Sequence, residues 1–251
     1  VRYLFMQNGG ICSFDKIKKR LIHHIEYRFF LSIQSLTDLK CSFALFLACL
    51  TRLRVDPDEA SSKPICHNTL RNAVEMTIEY IRKWQTEVTL EPLLLNFAVT
   101  DGNSVVVLRY ITSRTDEAAL LHFLTGLRFI EYEPGLFKME RKNRSQDVIF
   151  VALEPLTFER GDWLCVPSNT IITISQNNTG LMHPILDEFY TEGERSLGLA
   201  MRKGLMGGVP KRETEESTDD PMPPLQREGR AVNAFSIGIL RKYRVNKISF
   251  M

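Results

Sequence analysis

The hydrophobic pattern of the chain changes near residue 90, and this change limits the possible folds more than any other feature. Before it, apolar residues recur at the spacing of amphipathic helices. After it, short apolar or alternating runs bounded by Gly, Pro, Asn and Asp predict β-strands. Helices that precede most of the strands favour an α+β fold with antiparallel sheets over an alternating, parallel α/β fold.

Three helices are predicted before the change. Ser13 is the expected N-cap of the first, whose apolar face continues to Phe29. The second begins near Asp38 and is apolar almost all round, which predicts that it is buried. The third carries its apolar face from Leu70 to Trp84. Basic residues on the first helix are interpreted as a solvated face, with a phosphate-binding stripe as the alternative.

The clearest strand signal is a hairpin formed by residues 93–100 and 104–111, joined by an Asp-Gly turn. Beyond it, the pattern predicts four further strands and one short edge segment, which contains a proline. The strands are expected at residues 127–132, 136–140, 147–152 and 170–175, and the edge segment at 163–167.

An Asn-Gly step ends an apolar run near the start of the chain, at residues 5–11. The run predicts a strand that delivers a turn or loop. Asn8 and Gly9 offer a side-chain amide and closely approachable backbone N–H groups, which suit a site for a developing oxyanion. The alternative for this stretch is an ordinary hairpin or a loop before a helix.

Charge and hydropathy exclude some partners. The chain has 32 basic and 30 acidic residues and a formal net charge of +2, so bulk charge does not indicate nucleic acid or an anionic membrane as a partner. The most apolar run, residues 43–50, is far shorter than the roughly 20 residues that span a bilayer. No nucleic-acid or membrane partner is therefore expected.

The cysteines show no metal-binding spacing. They are five in number and scattered, and none forms a C-x-x-C pair, so we expect buried, reduced thiols in a cytoplasmic protein. Cys66 and His67 are adjacent but lack further candidate ligands, and no metal site is predicted. Cys12 follows the Asn-Gly stretch and is interpreted as a packed thiol.

The predicted domain covers residues 1–190, and residues 191–251 form a C-terminal tail. Within the tail, residues 211–228 are acidic, proline-rich and nearly free of aliphatic side chains, a composition typical of disorder. Residues 235–240 regain apolar character, and their pattern is compatible with either a strand or a docking segment.

Several stretches together resemble a known family. Residues 5–11, followed by Thr37 and Asp38, resemble the Asn-Gly loop and the glutamine-binding Asp of class II glutamine amidotransferases. Residues 97–102, 154–163 and 166–170, with the Arg109-Tyr110 pair, resemble the fungal subfamily that serves in cytosolic glutathione degradation. The resemblance extends over most of the predicted domain.

The resemblance implies a fold and a chemistry. The fold would be an N-terminal-nucleophile hydrolase of the αββα type, with two antiparallel sheets between helical layers. An N-terminal Cys thiolate would attack the γ-carbonyl of glutamine or glutathione, with its own α-amine as the base and no cofactor. Asn8 and Gly9 would stabilise the oxyanion, while Asp38, with Thr37, would bind the substrate's α-ammonium group. A peptidase-type subunit would be the partner in a hetero-oligomer.

The chain also departs from the family pattern. Gln7 stands where family members usually have His, and four of the six positions in residues 35–40 differ. The chain begins at Val1, and none of its cysteines is N-terminal, so we expect an N-terminally truncated domain that is inactive as given. Two hypotheses follow: part of a γ-glutamyl hydrolase, or a degenerate relative kept as an interaction subunit.

Overall fold

The structure is a computed structural model, and it bears out the predicted order of helices and strands. It describes residues 3–58, 64–126, 128–134, 136–140, 148–157, 162–176, 179–191, 236–240 and 247–250. The helices are α1 (Phe14–His24), α2 (Tyr27–Ser32), α3 (Asp38–Arg52) and α4 (His67–Thr86). The strands are β1 (Leu4–Gly10), β2 (Leu94–Thr100), β3 (Val105–Ile111), β4 (His122–Gly126), β5 (Arg128–Glu133), β6 (Leu136–Glu140), β7 (Val148–Ala152), β8 (Leu164–Cys165), β9 (Thr170–Ile174), β10 (Gly180–Pro184), β11 (Ser236–Leu240) and β12 (Lys247–Phe250).

The first predicted helix is divided in two. Its backbone becomes extended at Ile25, which has φ −89° and ψ 132°, and a short second helix follows. Ile25 and Phe29 are nevertheless both buried, so the apolar spacing continues across the break. Ser13 precedes α1 but makes no capping hydrogen bond, because its backbone is left-handed rather than extended. Ser13 is therefore the N-cap residue, as predicted, but its side chain does not cap the helix.

Helix α3 forms the centre of the helical layer. Most of its residues, from Cys41 to Leu50, are buried, as its apolar composition predicts. Thr37 is the N-cap, with extended backbone, and its hydroxyl oxygen accepts a hydrogen bond from the Lys40 N–H. This cap fixes where the helix begins and places Asp38 in its first turn.

The predicted hairpin is confirmed. Strands β2 and β3 are antiparallel, and the Asp101 carboxylate accepts hydrogen bonds from the backbone N–H groups of Asn103 and Ser104. Gly102 occupies the turn with φ +86°, a conformation that glycine adopts without steric cost.

Two antiparallel sheets stack on each other. Sheet A has the order β1-β2-β3-β9-β10, sheet B has the order β12-β11-β7-β4-β8, and β5 and β6 form a separate hairpin. One face of sheet A packs against the helices through Phe97 and Leu108. Its other face, with Ala98 and Val107, packs against sheet B through Val151. The predicted α+β class with two antiparallel sheets is confirmed.

All four described helices contribute to one layer, on the outer face of sheet A. On the outer face of sheet B, Leu124, Phe150 and Trp163 form a smaller apolar cluster. The second helical layer of an αββα sandwich is not among the residues that the structure describes. The described residues therefore form three layers of the αββα arrangement: the helices, sheet A and sheet B.

Some strands differ from the prediction. Strands β4 and β10 were not predicted, while the expected edge segment at residues 163–167 provides β8, which pairs with β4 at the edge of sheet B. In the tail, β11 pairs with β7 and with β12, so residues 236–240 form a strand. The predicted disorder of residues 211–228 lies outside the described residues.

The cysteines were expected to be buried, reduced thiols. All five cysteines are free, but only Cys41 and Cys49 are buried, and Cys66 is exposed at the start of α4. The expectation that all the thiols are buried is therefore wrong.

No described helix combines the length and the apolar character that crossing a membrane requires.

Candidate functional site

The Asn-Gly step lies within a strand. Strand β1 continues through Gly10 and pairs with β2, with Asn8 opposite Asn96 and Gly9 opposite Leu95. Gly9 has φ +98°, and a Cβ added there would overlap the carbonyl oxygen of Leu94. The predicted turn is therefore wrong, because strand pairing overrides the local Asn-Gly signal. Glycine is still required, since it alone tolerates this backbone next to β2.

Alternation along β1 separates its side chains onto two faces. Phe5 packs against Phe97 on the helical side, and Met6 packs against the apolar cluster between the sheets. Gln7 therefore faces the helices and Asn8 faces the space between the sheets. Within the part of the chain that the structure describes, the half-buried Asn8 amide makes no hydrogen bond, so its N–H donors are available to a ligand.

Asp38 lies directly beside the end of β1. Its Oδ2 accepts hydrogen bonds from Gln7 Nε2 at 3.0 Å and from the Ile11 N–H at 3.3 Å, and its Oδ1 accepts one from the Leu39 N–H at 2.9 Å. A Cβ added at Gly10 would lie 3.7 Å from Oδ2. The position at the N-terminus of α3 also favours a negative charge.

The fold thus brings together residues that are about thirty positions apart in the sequence. Asn8 and Gly9 end the edge strand of sheet A, and Asp38 begins the helix that packs beside it. Thr37 is part of the same cluster, where its hydroxyl serves as the helix cap. Around them, Leu36 and Leu39 are exposed and form an apolar rim.

Asn96 is a polar residue of this region that was not singled out from the sequence. It is buried opposite Asn8, and its Nδ2 donates to the carbonyl oxygen of Ala119 at 3.3 Å. Its Oδ1 is buried without a hydrogen-bond partner among the described residues. The available signal was one amide side chain in the middle of the largely apolar strand β2.

Comparison with known proteins supports the resemblance to glutamine amidotransferases. No protein-family model matches the chain. Over 234 residues, however, it is 51% identical to the Probable glutamine amidotransferase DUG3 of Saccharomyces cerevisiae, an alignment that covers 90% of this chain. Over most of its length the chain is thus similar to a probable glutamine amidotransferase. It spans 64% of the length of that relative. The family resemblance inferred from the sequence is confirmed.

Three solved structures match part of the chain at low sequence identity. A glutamine aminotransferase class-II domain protein from Silicibacter pomeroyi is 20% identical with a TM-score of 0.48, over 73% of this chain and 67% of that one. A predicted glutamine amidotransferase from Pseudomonas aeruginosa is 18% identical with a TM-score of 0.44, over 71% and 59%. Glutamine phosphoribosylpyrophosphate amidotransferase from B. subtilis, complexed with ADP and GMP, is 12% identical with a TM-score of 0.40, over 73% and 29%.

Arg109 is one of the residues on which the resemblance rests, and its contacts are those of a residue that stabilises the fold. It is buried and donates to the carbonyl oxygens of Ala118 at 2.7 Å, of Ala119 at 2.9 Å and of Val166. Burial lowers the pKa of the Arg109 guanidinium from its usual value. The side chain joins β3 to two loops, and its donors are directed at protein carbonyls rather than at a ligand.

Cys12 has the environment of a packed thiol. It is half-buried, and its Sγ lies 3.6 Å from the carbonyl oxygen of Pro92. Burial raises the pKa of the Cys12 thiol, and the neighbouring Glu91 carboxylate raises it further. A raised pKa disfavours the thiolate, the form that acts as a nucleophile.

Among the described residues, no group of three His, Cys, Asp or Glu side chains could hold a metal ion.

Proposed function

We propose that the chain contributes to a domain that binds the γ-glutamyl end of glutamine or glutathione and transfers the γ-acyl group to water. The observation that carries the proposal is that Asn8 and Gly9 end the edge strand of sheet A, and that Asp38 is bound to the same strand end through Gln7 Nε2 and the Ile11 N–H. The relation to a probable glutamine amidotransferase supports a substrate with a γ-carboxamide.

The two ends of such a substrate have different chemical requirements. Its α-ammonium group needs a carboxylate, which Asp38 supplies from the first turn of α3. Its γ-carbonyl oxygen becomes negatively charged when a nucleophile adds to the carbon, and it needs hydrogen-bond donors. The Asn8 amide is available for this, and Gly9 allows close approach of the backbone.

The edge position of β1 supplies a further donor. Successive residues of a strand direct their N–H groups alternately toward and away from the paired strand. Because β1 is the edge of sheet A in the described structure, one of the two N–H groups of Asn8 and Gly9 is not used by β2. A side-chain amide and a backbone N–H together would stabilise the oxyanion.

The nucleophile in the proposed reaction is the family's N-terminal Cys thiolate, with the α-amine of that residue as the base. Attack forms the thioester and releases ammonia or the amine of the glutamyl peptide, and water then releases glutamate. We place this activity in a cytoplasmic hetero-oligomer with a peptidase-type subunit that degrades glutathione.

In a form of the protein that carries the N-terminal Cys, Asn8→Ala should lower kcat by about 100-fold, as the loss of one oxyanion donor does in other hydrolases.

Ligand binding tests the proposal on the chain itself. Titration calorimetry should show binding of L-glutamine and glutathione, and weaker binding of 5-amino-5-oxopentanoate, which is glutamine without its α-amine. Asp38→Asn should abolish this preference, because it removes the negative charge that pairs with the ammonium group. Equal affinities for the amine and its des-amino analogue would contradict the assignment of Asp38.

A second candidate is a catalytically inactive interaction subunit. The exposed Leu36 and Leu39 beside Asp38 favour it, because an apolar rim suits a protein partner better than an ammonium group. Lys40 also adds a positive charge near the carboxylate. Under this hypothesis L-glutamine does not bind, and Leu36→Ser with Leu39→Ser weakens association with the partner subunit.

A further inference from the structure

Gln7 connects the two halves of the candidate site. Its Nε2 donates to Asp38 Oδ2 at 3.0 Å and lies 3.4 Å from the carbonyl oxygen of Gly9. The same amide therefore contacts the carboxylate and the backbone of the Asn-Gly step. Among the side chains that the structure describes around Asp38, Gln7 is the donor that reaches it from β1.

The orientation of the Gln7 amide follows from its neighbours. A carboxylate accepts hydrogen bonds and donates none, and the Gly9 carbonyl also only accepts. Turning the amide over would bring Oε1 against two acceptors. Nε2 must therefore face Asp38, and Oε1 is enclosed without a hydrogen-bond partner among the described residues.

One carboxylate oxygen of Asp38 can accept a further hydrogen bond. An ionised carboxylate offers about four acceptor sites, two on each oxygen. Oδ2 accepts from Gln7 Nε2 and from the Ile11 N–H, whereas Oδ1 accepts from the Leu39 N–H alone among the described groups. The remaining site on Oδ1 is the one that an ammonium group would occupy.

We infer that Gln7 is a positioning residue, which holds the Asp38 carboxylate so that Oδ1 receives the substrate's α-ammonium group and which sets the distance from that group to the Asn8–Gly9 step. The inference rests on the proposed function. Gln7 suits this role because its amide is neutral: it fixes the carboxylate without supplying a positive charge that would compete with the ligand's ammonium group.

The test compares two ligands on matched variants. Gln7→Met keeps a side chain of similar length but removes the donor, and Gln7→His at pH 8 restores one. The neutral imidazole carries Nε2 at the same number of bonds from Cβ as the amide of Gln7. Gln176→Met is the control, because Gln176 Nε2 donates to Asn103 Oδ1 at the opposite end of sheet A. Each variant is titrated with L-glutamine and with 5-amino-5-oxopentanoate.

Gln7→Met should weaken L-glutamine binding roughly tenfold, the lower end of what a hydrogen bond to a charged group contributes. Its effect on the des-amino analogue should be less than about twofold, Gln7→His should recover most of the loss, and Gln176→Met should change neither affinity. Equal weakening of both ligands by Gln7→Met would overturn the inference and leave the proposed function standing. If the wild-type chain does not prefer the amine, the proposed function fails, and the inference fails with it.

Discussion

Two polar clusters of this protein use their hydrogen-bonding groups in different ways. In the site cluster of Gln7, Asn8 and Asp38, the Asn8 amide is without a partner among the described residues and Asp38 Oδ1 has capacity to spare. In the framework cluster of Arg109 and Asn169, the donors and acceptors are directed at backbone groups. Both clusters belong to stretches that resemble the family, so distinctive residues can serve either the ligand or the fold.

The framework cluster explains why some of these stretches are so specific. Asn169 has a left-handed backbone with φ +53°, its Oδ1 accepts from the Ile111 N–H, and its carbonyl oxygen accepts from the Ile185 N–H. Arg109 holds two loops against β3 in the same way. These side chains stabilise loops that have no regular structure of their own, and they should tolerate little substitution even where no ligand binds.

The largest expected effect comes from the framework. Arg109→Met keeps most of the buried volume but leaves the carbonyl oxygens of Ala118, Ala119 and Val166 without this donor. We expect the free energy of unfolding to fall by about 4 kcal/mol, measured by urea denaturation. Arg109→Lys should lose about half as much, because an ammonium group cannot reproduce the planar fork. A loss below about 1 kcal/mol for Arg109→Met would remove the distinction between the clusters.

A pair of glycine substitutions tests the backbone of the site cluster. Gly9→Ala forces a positive φ on alanine and places its Cβ against the Leu94 carbonyl, so it should lower the free energy of unfolding by about 3 kcal/mol. Gly102→Ala is the matched control: its φ is +86°, but no atom lies within 4 Å of the added Cβ, so about 1 kcal/mol is expected. Equal losses in urea denaturation would show that the close approach of β2 is unimportant.

The fold could be predicted where a periodic pattern and its environment agree. Helix α3 and the β2–β3 hairpin follow from apolar spacing and from the Asp-Gly turn. Strand β10 could not be predicted, because residues such as Leu181 and Met182 are exposed and a glycine and a proline bound it. The break at Ile25 was also hidden, since burial of Phe29 preserves the apolar spacing across it.

The members of the candidate site follow from the family resemblance, whereas the contacts between them could not be predicted. Asn8, Gly9 and Asp38 are the positions that match the family motif in order and spacing. The strand pairing of Gly9 with Leu95 could not be anticipated, because the local signal of Asn-Gly favours a turn. The Gln7–Asp38 hydrogen bond joins residues far apart in sequence, so only the packing of β1 beside α3 reveals it.

A buried tyrosine gives the framework a pH dependence. The Tyr110 hydroxyl donates to Asp187 Oδ2 at 2.5 Å, and burial, followed by this hydrogen bond, raises the pKa of Tyr110 above its usual value. Tyrosine in the unfolded chain has a pKa of about 10, so the hydroxyl stabilises the fold fully below that pH and progressively less above it. Tyr110→Phe should cost about 1.5 kcal/mol at pH 7 and less at pH 11.

The measurement is urea denaturation at pH 7, 9 and 11, in which the wild type loses stability relative to Tyr110→Phe as the pH rises. Tyr27→Phe is the control, because the Tyr27 side chain is 74% exposed. If the difference in free energy of unfolding between wild type and Tyr110→Phe stays constant across this range, the hydrogen bond from Tyr110 to Asp187 does not stabilise the packing of residues 185–190 on sheet A.

The smallest effect on stability is expected at Thr37. This residue is next to Asp38 of the site cluster, but its hydroxyl has a structural role. Its hydroxyl caps α3 through the Lys40 N–H at 3.4 Å, a long hydrogen bond, so Thr37→Ala should lower the free energy of unfolding by about 0.5 kcal/mol. Thr37→Ser keeps the cap and should cost less. If Thr37 acts only through the helix, L-glutamine affinity measured by calorimetry stays within about twofold in both variants. A larger loss confined to Thr37→Ala would instead make this hydroxyl a direct contact of the ligand, and the cap would be secondary.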